Sequence, residues 1–360
     1  MVCGVGCMKE NVNERNYGID LLRIIAMFMI IMLHSLLQGG ILNNLLVHSV
    51  KYKLVWLIEI IAYPAVNIFA IISGYVGYSD RKKEIKYANY IKLWLEVVFY
   101  SLLITILFDM FLPNAVICTD YIKAILPVTN DSYWYFSAYT ALFIVMPIIN
   151  NGIRNTNIKT IKLISILIIT FFTIVGRIND PFKLTNGYSF AWILLLYILG
   201  SAIKKCKLGK NMKNYQIILG IILLYVITYL NKMYSIILAK NLLVSYISPT
   251  MLLISMLYVI GFSRIKLNKR LIKIVNFSAP SVFAAYLLNT NNLIWEYIIK
   301  DFFFNLTMQS VNKLIIAPII ISFGFLVLAI LIDKLRKLLF NFLHVPNIIN
   351  KGLRYFKEIF

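Results

Sequence analysis

Apolar residues run along this chain in blocks of roughly 20, broken by short polar stretches. An α-helix rises about 1.5 Å per residue and the hydrocarbon core of a bilayer is about 30 Å thick, so blocks of that length predict membrane-crossing helices. The blocks fall at 18–38, 54–75, 90–112, 133–150, 161–178, 188–203, 215–231, 242–262, 274–298 and 313–332. The expected fold class is therefore all-α, a polytopic transmembrane helical bundle of about ten spans. The first block follows a polar start and carries no small-residue cleavage site near its end, so it is expected to stay in the mature chain. Three segments follow: a cytoplasmic 1–16, a membrane domain 17–332, and a tail 333–360. Beyond Ile332 the tail sets Leu335, Leu338, Leu339 and Phe342 beside Lys334, Arg336 and Lys337, a helix with one greasy side expected to lie on the inner membrane surface.

Composition agrees with the pattern: 60% of the 360 residues are hydrophobic, 14% are charged, and mean hydropathy is +0.79. A water-soluble domain has no room to hide so much apolar side chain. The net charge of +21 would suggest nucleic acid if it were spread over a soluble fold, but its placement says otherwise. Alternate loops hold Arg81, Lys82, Lys83 and Lys86; Arg154 and Lys159; Lys204, Lys205, Lys207, Lys210 and Lys213; and Arg264, Lys266, Lys269, Arg270 and Lys273. The loops between them are poorer in cations, and Asp120, Asp131, Asp180 and Asp301 accompany several of these. By the positive-inside rule both termini are expected in the cytoplasm, with anionic membrane lipid as the partner and no nucleic acid. Cys3, Cys7, Cys118 and Cys206 are scattered and form no metal-ligand pattern, so no metal is expected.

Ionisable groups inside hydrocarbon cost several kcal/mol, which makes the few present the first places to look for chemistry. In the first block Arg23 and His34 are eleven residues apart, nearly three full helical turns, so they share a face. Arg23 falls at the cytoplasmic boundary, one turn after Asp20, which can pair with it; His34 falls about 16 Å deeper, near mid-membrane. A guanidinium suits phosphate, and a desolvated imidazole stays neutral with a nitrogen free to take a proton or attack a carbonyl. The plainer alternative makes Arg23 a boundary anchor and His34 a link to a neighbouring helix. Glu59, Asn67, Ser73 and Glu96 are weaker candidates for lining the same polar space. Tyr133, Trp134 and Tyr135 fall where an interfacial aromatic belt is expected, with stacking on a sugar as the alternative, and the same holds for Tyr188 and Trp192. Arg177, followed by Asp180, sits at an outer mouth, either gripping an acceptor or closing a plain salt bridge.

The Arg-to-His spacing from Arg23 to His34, and the run VNIFAIISGYVGYSDRKK at 66–83, resemble the integral-membrane acyltransferase-three family, which includes O-acetyltransferases of bacterial surface polysaccharides. The runs YWYFSAY at 133–139, GYSFAW at 187–192 and AAYLLN at 284–289 extend the likeness over about residues 16–332. The family's second signature is a Ser-Gly-Tyr-type turn leading into a basic loop, commonly with two arginines three apart; here Arg81 is followed by Glu84, with Lys82, Lys83 and Lys86 nearby. Many relatives carry a His in the ninth span where this chain has Asn289, so His34 is expected to stand alone. The resemblance implies no bound cofactor and transfer of an acyl group, most often acetyl, from cytoplasmic acyl-coenzyme A to a glycan hydroxyl on the outer side. Arg23, Arg81, Lys82, Lys83 and Ser73 would serve the donor, His34 would be general base or transient acyl carrier, and Tyr133, Trp134, Tyr135, Arg177, Tyr188 and Trp192 the acceptor. The expected location is a bacterial plasma membrane, with a homo-oligomer left open. The competing reading is a transporter or flippase for an acidic or lipid-linked glycan, with the arginines as an anion path and His34 as a proton relay. A transporter should show broken helices or repeated halves, and a glycan polymerase should carry a large outer loop.

Overall fold

The computed structural model describes residues 15–81, 87–112, 114–238 and 242–359. Its elements are helical: α1 (Tyr17–Leu37), α2 (Val50–Ala62), α3 (Ala65–Gly77), α4 (Tyr87–Phe111), α5 (Cys118–Ile125), α6 (Trp134–Asn155), α7 (Ile158–Leu167), α8 (Thr173–Ile178), α9 (Phe190–Lys205), α10 (Asn214–Leu238), α11 (Pro249–Phe262), α12 (Lys269–Ser278), α13 (Val282–Asn289), α14 (Asn292–Ile294), α15 (Val311–Phe342) and α16 (Val345–Ile359). Among the described residues eight helices, some of them joined across kinks, are long and apolar enough to cross a membrane. Two of the ten blocks fold shorter, as the 16-residue α9 and the 14-residue α11, and both are largely buried among the longer helices. Around them α7, α10 and the middle of α15 turn Leu163, Ile166, Ile218, Leu219, Ile222, Ile320 and Phe323 outward. So much exposed aliphatic surface would be costly in water and is matched by lipid. The chain is a multi-pass membrane protein.

α1 is the axial element and packs against α2, α3, α11, α13 and α15. It starts sharply because Asn16 accepts from the Ile19 N–H at 3.1 Å. The second block is not one helix. Pro64 lacks the N–H that would continue the ladder, and the chain breaks between α2 and α3, where Ser255 of α11 donates to the Pro64 carbonyl at 3.2 Å. Ser73, Gly74 and Tyr75, expected as a turn, lie inside α3. What that stretch needs is a residue without a side chain. A Cβ on Gly74 would stand 1.9 Å from the Tyr197 carbonyl of α9, and one on Gly200 of α9 would stand 2.0 Å from the Ile71 carbonyl of α3, so the two backbones touch through paired glycines. The ninth block breaks as well, into α12, a 3-10 turn at Ala279–Ser281, α13, and α14 running into a π-turn at Trp295–Ile299.

Hydrogen bonds gather the basic loops at one end of the bundle. Asn16 donates to Ser263 O, Lys204 to Tyr78 O, Arg264 to the Gly209 and Met212 carbonyls, and Lys205 to the carbonyls of Ile153, Arg154 and Thr156 that close α6. At the opposite end Lys51 donates to Thr307 O and Arg177 to Leu242 O. The break expected after Ile332 is absent, since α15 continues through it to Phe342. Asp333 and Arg336 are buried there instead of lying on a surface: Arg336 pairs with Asp333 at 2.7 Å and with Glu96 of α4 at 3.2 Å, and Lys337 reaches Asp333 at 2.8 Å. Leu335, Leu338 and Phe342 do form an exposed apolar stripe.

Candidate active site

At the basic end a cavity of about 580 Å³ opens beside the first turns of α1, lined among others by Arg15, Asp20, Arg23, Tyr75, Lys204 and Pro280. Asp20 is buried and accepts from two cations, Arg15 at 2.5 Å and Arg23 at 2.8 Å. The carboxylate thus aims two guanidinium forks toward one space, which suits it to positioning them and leaves proton transfer to another group. Lys204 joins from α9, over the Tyr75 ring at 5.6 Å. Arg81 is exposed beyond the end of α3 and is not among the lining residues, and Lys82 and Lys83 lie outside the described residues. Beside Arg23, the described positive charges of the cavity come from Arg15 and Lys204. Arg15 precedes the helix and Lys204 looks in sequence like one more loop lysine, so neither stood out before folding. Ser73 donates to Phe69 O at 3.0 Å within its own helix and is also in reach of the Tyr135 hydroxyl.

His34 lies in the last turn of α1, toward the opposite end, about 16 Å from Arg23 along the axis. Its Nδ1 contacts Oδ1 of Asn289, the position where relatives carry a second His. That oxygen only accepts, so Nδ1 carries the proton and Nε2 keeps its lone pair, the tautomer a base or nucleophile needs. The edge of Trp295 meets the imidazole at 4.6 Å between centroids and 70°, presented by the π-turn after α14. Asn289 and Trp295 were missed as partners because they sit about 255 residues away in sequence, on a segment whose helix is interrupted. The last carbonyls of α1 are taken up by a loop from the same segment: Asp301 N–H donates to Gln38 O at 3.0 Å and Phe303 N–H to Gly39 O at 2.8 Å. Gly40, at φ +84°, makes the turn below that loop, and a Cβ there would stand 2.6 Å from Asp301 Oδ1.

His34 is not among the residues lining the basic-end cavity. Between the two lies a band of phenols on α6 and α13: Tyr135 and Tyr139 are within electrostatic reach of Arg23, and Tyr135 meets Tyr286 at 6.2 Å, one turn before Asn289. Of the three aromatics expected as a belt at 133–135, Tyr133 is withdrawn from the surface. Tyr133 is buried with its hydroxyl accepting from Asn291 at 3.0 Å, and Trp134 and Tyr135 are half-buried. Trp192 is fully buried, its indole N–H given to Asn67 of α3 at 3.0 Å, so it holds α9 against α3 and has no face open for lipid or sugar at the surface. Tyr188 is exposed and packs against Trp134 at 4.8 Å. Arg177 donates to Leu242 O and to Asn186 Oδ1, while Asp180 accepts from the N–H groups of Leu184 and Thr185, so the two close a loop through different partners.

No curated protein and no solved structure matches this chain. A family model does: that of the acyltransferase-three family, described as an acyltransferase domain, matches residues 16–334, from the N-cap of α1 into α15. The match takes in Asp20, Arg23, His34 and Asn289, the groups that the fold assembles around α1. The chain belongs to the acyltransferase-three family and is a membrane acyltransferase.

Proposed function

We propose that the protein moves an acyl group, acetyl in the simplest case, from cytoplasmic acyl-coenzyme A to a hydroxyl of a cell-surface or exported glycan. One observation carries this reading: a single helix face holds a cation-lined cavity at one end and a tautomer-fixed imidazole at the other. That arrangement suits a donor with phosphates at one end of a long flexible arm and a thioester at the other. Arg15, Arg23 and Lys204 would grip the phosphates, and Asp20 would hold the two arginines in register. At the far end Nε2 of His34 would either take the proton from the acceptor hydroxyl as its oxygen attacks the thioester carbonyl and hand it to the departing coenzyme A thiolate, or attack that carbonyl itself, expel the thiolate, and pass the acyl to the hydroxyl, whose proton goes to the thiolate. In both routes Asn289 would keep the proton on Nδ1 and stabilise the imidazolium or acyl-imidazolium that forms. The basic end, gathered by its loops, is the cytoplasmic side in this reading, and the plasma membrane of a bacterium is its setting.

The test is transfer of radiolabel from acetyl-coenzyme A to glycan by membranes holding matched amounts of wild type or His34→Ala. Label transferred by the wild type and lost in the variant supports the proposal; equal transfer by both removes His34 from the mechanism. The interrupted helices at Pro64 and at Ala279–Ser281 are a feature that carriers share, and they favour the transporter as the second reading. Counterflow of labelled glycan across vesicles without acyl transfer would establish it.

A further inference from the structure

Away from His34 and the donor cavity, three buried polar atoms stand together without partners. Glu59 of α2 is 4% exposed, and its Oε2 has no hydrogen bond; Trp56 Nε1, one turn earlier on the same face, and Ser245 Oγ are likewise buried and unpartnered. They share a neighbourhood. Trp56 and Tyr63 pack against the apolar cluster that holds Val244, Tyr246 meets Tyr63 at 4.8 Å, and Glu59 is within electrostatic reach of Tyr63, Tyr188 and Tyr246, so Ser245, between Val244 and Tyr246, belongs to a stretch that borders the same rings. Native interiors satisfy nearly all such groups, and stranding even a neutral one is costly. Three stranded in one cluster are what a site completed by its ligand leaves behind.

Rings connect the cluster to the reacting end. Tyr246 meets Tyr188 at 5.2 Å, Tyr188 meets Trp134 at 4.8 Å, and Tyr135, beside Trp134, meets Tyr286 one turn before Asn289. Tyr188 is half-exposed, so the row has an open edge. The polar atoms select the ligand. Glu59 accepts, the Trp56 N–H donates and Ser245 does both, which matches ring hydroxyls that donate and accept, while the C–H face of a pyranose packs on aromatic rings. A quaternary ammonium, the other habitual guest of aromatic cages, would leave Trp56 and Ser245 stranded. Lys232 Nζ already lies 3.8 Å from the Trp56 ring centroid, a cation in that place.

We propose that Glu59, Trp56 and Ser245 form a saccharide subsite, from which the acceptor reaches His34 along the aromatic row. Its role as the acceptor site rests on the acyltransferase reading above; its chemistry does not. The test uses the full chain in lipid nanodiscs, with tryptophan fluorescence titrated by the methyl glycosides of glucose, galactose and N-acetylglucosamine and by choline. Release of coenzyme A from acetyl-coenzyme A without acceptor is followed in parallel. Expected is saturable quenching by at least one glycoside, weakened about tenfold or more by Glu59→Gln and by Ser245→Ala. Tyr188→Ala, at a half-exposed position that tolerates truncation, should weaken binding in the same direction. Equal glycoside binding by wild type and Glu59→Gln, binding of choline alone, or no binding by the wild type would each overturn the subsite. Glu59-dependent glycoside binding in a protein that never releases coenzyme A would uphold the subsite and discard the donor.

Discussion

At the scale of single residues, the central pair is His34 and Asn289. Removing the imidazole by His34→Ala should lower acyl transfer by about 10²-fold or more, the usual worth of a positioned base. Asn289→Ala leaves the ring in place but frees its tautomer, so kcat should fall by about tenfold to 10²-fold while the KM for acetyl-coenzyme A stays put; steady-state kinetics at varied donor separates the two. Arg23→Lys should do the reverse, raising donor KM because an ammonium cannot reproduce the fork that Asp20 orients. Arg23 and His34 were legible in the sequence because one helix sets their relation and its period is known. Asn289 was visible only as a departure from its relatives, and Arg15 not at all, because what makes them matter is tertiary contact: Asn289 with α1 from a distant segment, Arg15 with Asp20 from outside any helix. The aromatic positions misled for the same reason. Tyr133 and Trp192 have belt-like composition, yet each finds a buried partner that lipid could not supply.

At the scale of elements, the α3–α9 crossing is the tightest constraint on the site, since α3 carries Tyr75 and α9 carries Lys204 into the basic-end cavity. Gly74→Ala should force the helices apart and cost about 1–3 kcal/mol, seen as a lower melting temperature in detergent together with a raised donor KM. A second constraint is the buried ionic cluster that ties α15 to α4. Arg336→Ala leaves buried Glu96 without its cation and Asp333 with Lys337 alone, and should destabilise by about 3–5 kcal/mol, whereas a change at exposed Leu338 should be nearly silent. Hydropathy located these helices well but could not tell a straight one from a broken one. Pro64 was in plain view inside the second block, yet an apolar window sums over it; and nothing local announces that α15 must run past Ile332, because the reason is an ion pair with a helix over 200 residues earlier.

At the scale of the whole molecule, the basic loops share one end, and orientation can be tested with the native thiols. In a variant whose other cysteines are serine, exposed Cys118, at the opposite end, should react with an impermeant maleimide added outside intact cells; Cys206 alone, at the basic end, should react only after permeabilisation. The overall class was legible from block length and charge placement, because both are imposed by the bilayer. The two ends differ in another way. The basic end opens on a cavity, while at the His34 end the N–H groups of Asp301 and Phe303 pin a loop across the end of α1. Under the proposed mechanism that loop would govern yield: an acyl group brought to His34 would be either delivered or wasted on water, and the pinned loop would set the odds. Gly40→Ala, which pushes Asp301 away, should leave thioester consumption intact but break its one-to-one bookkeeping with product, turning a transferase into a leaky hydrolase.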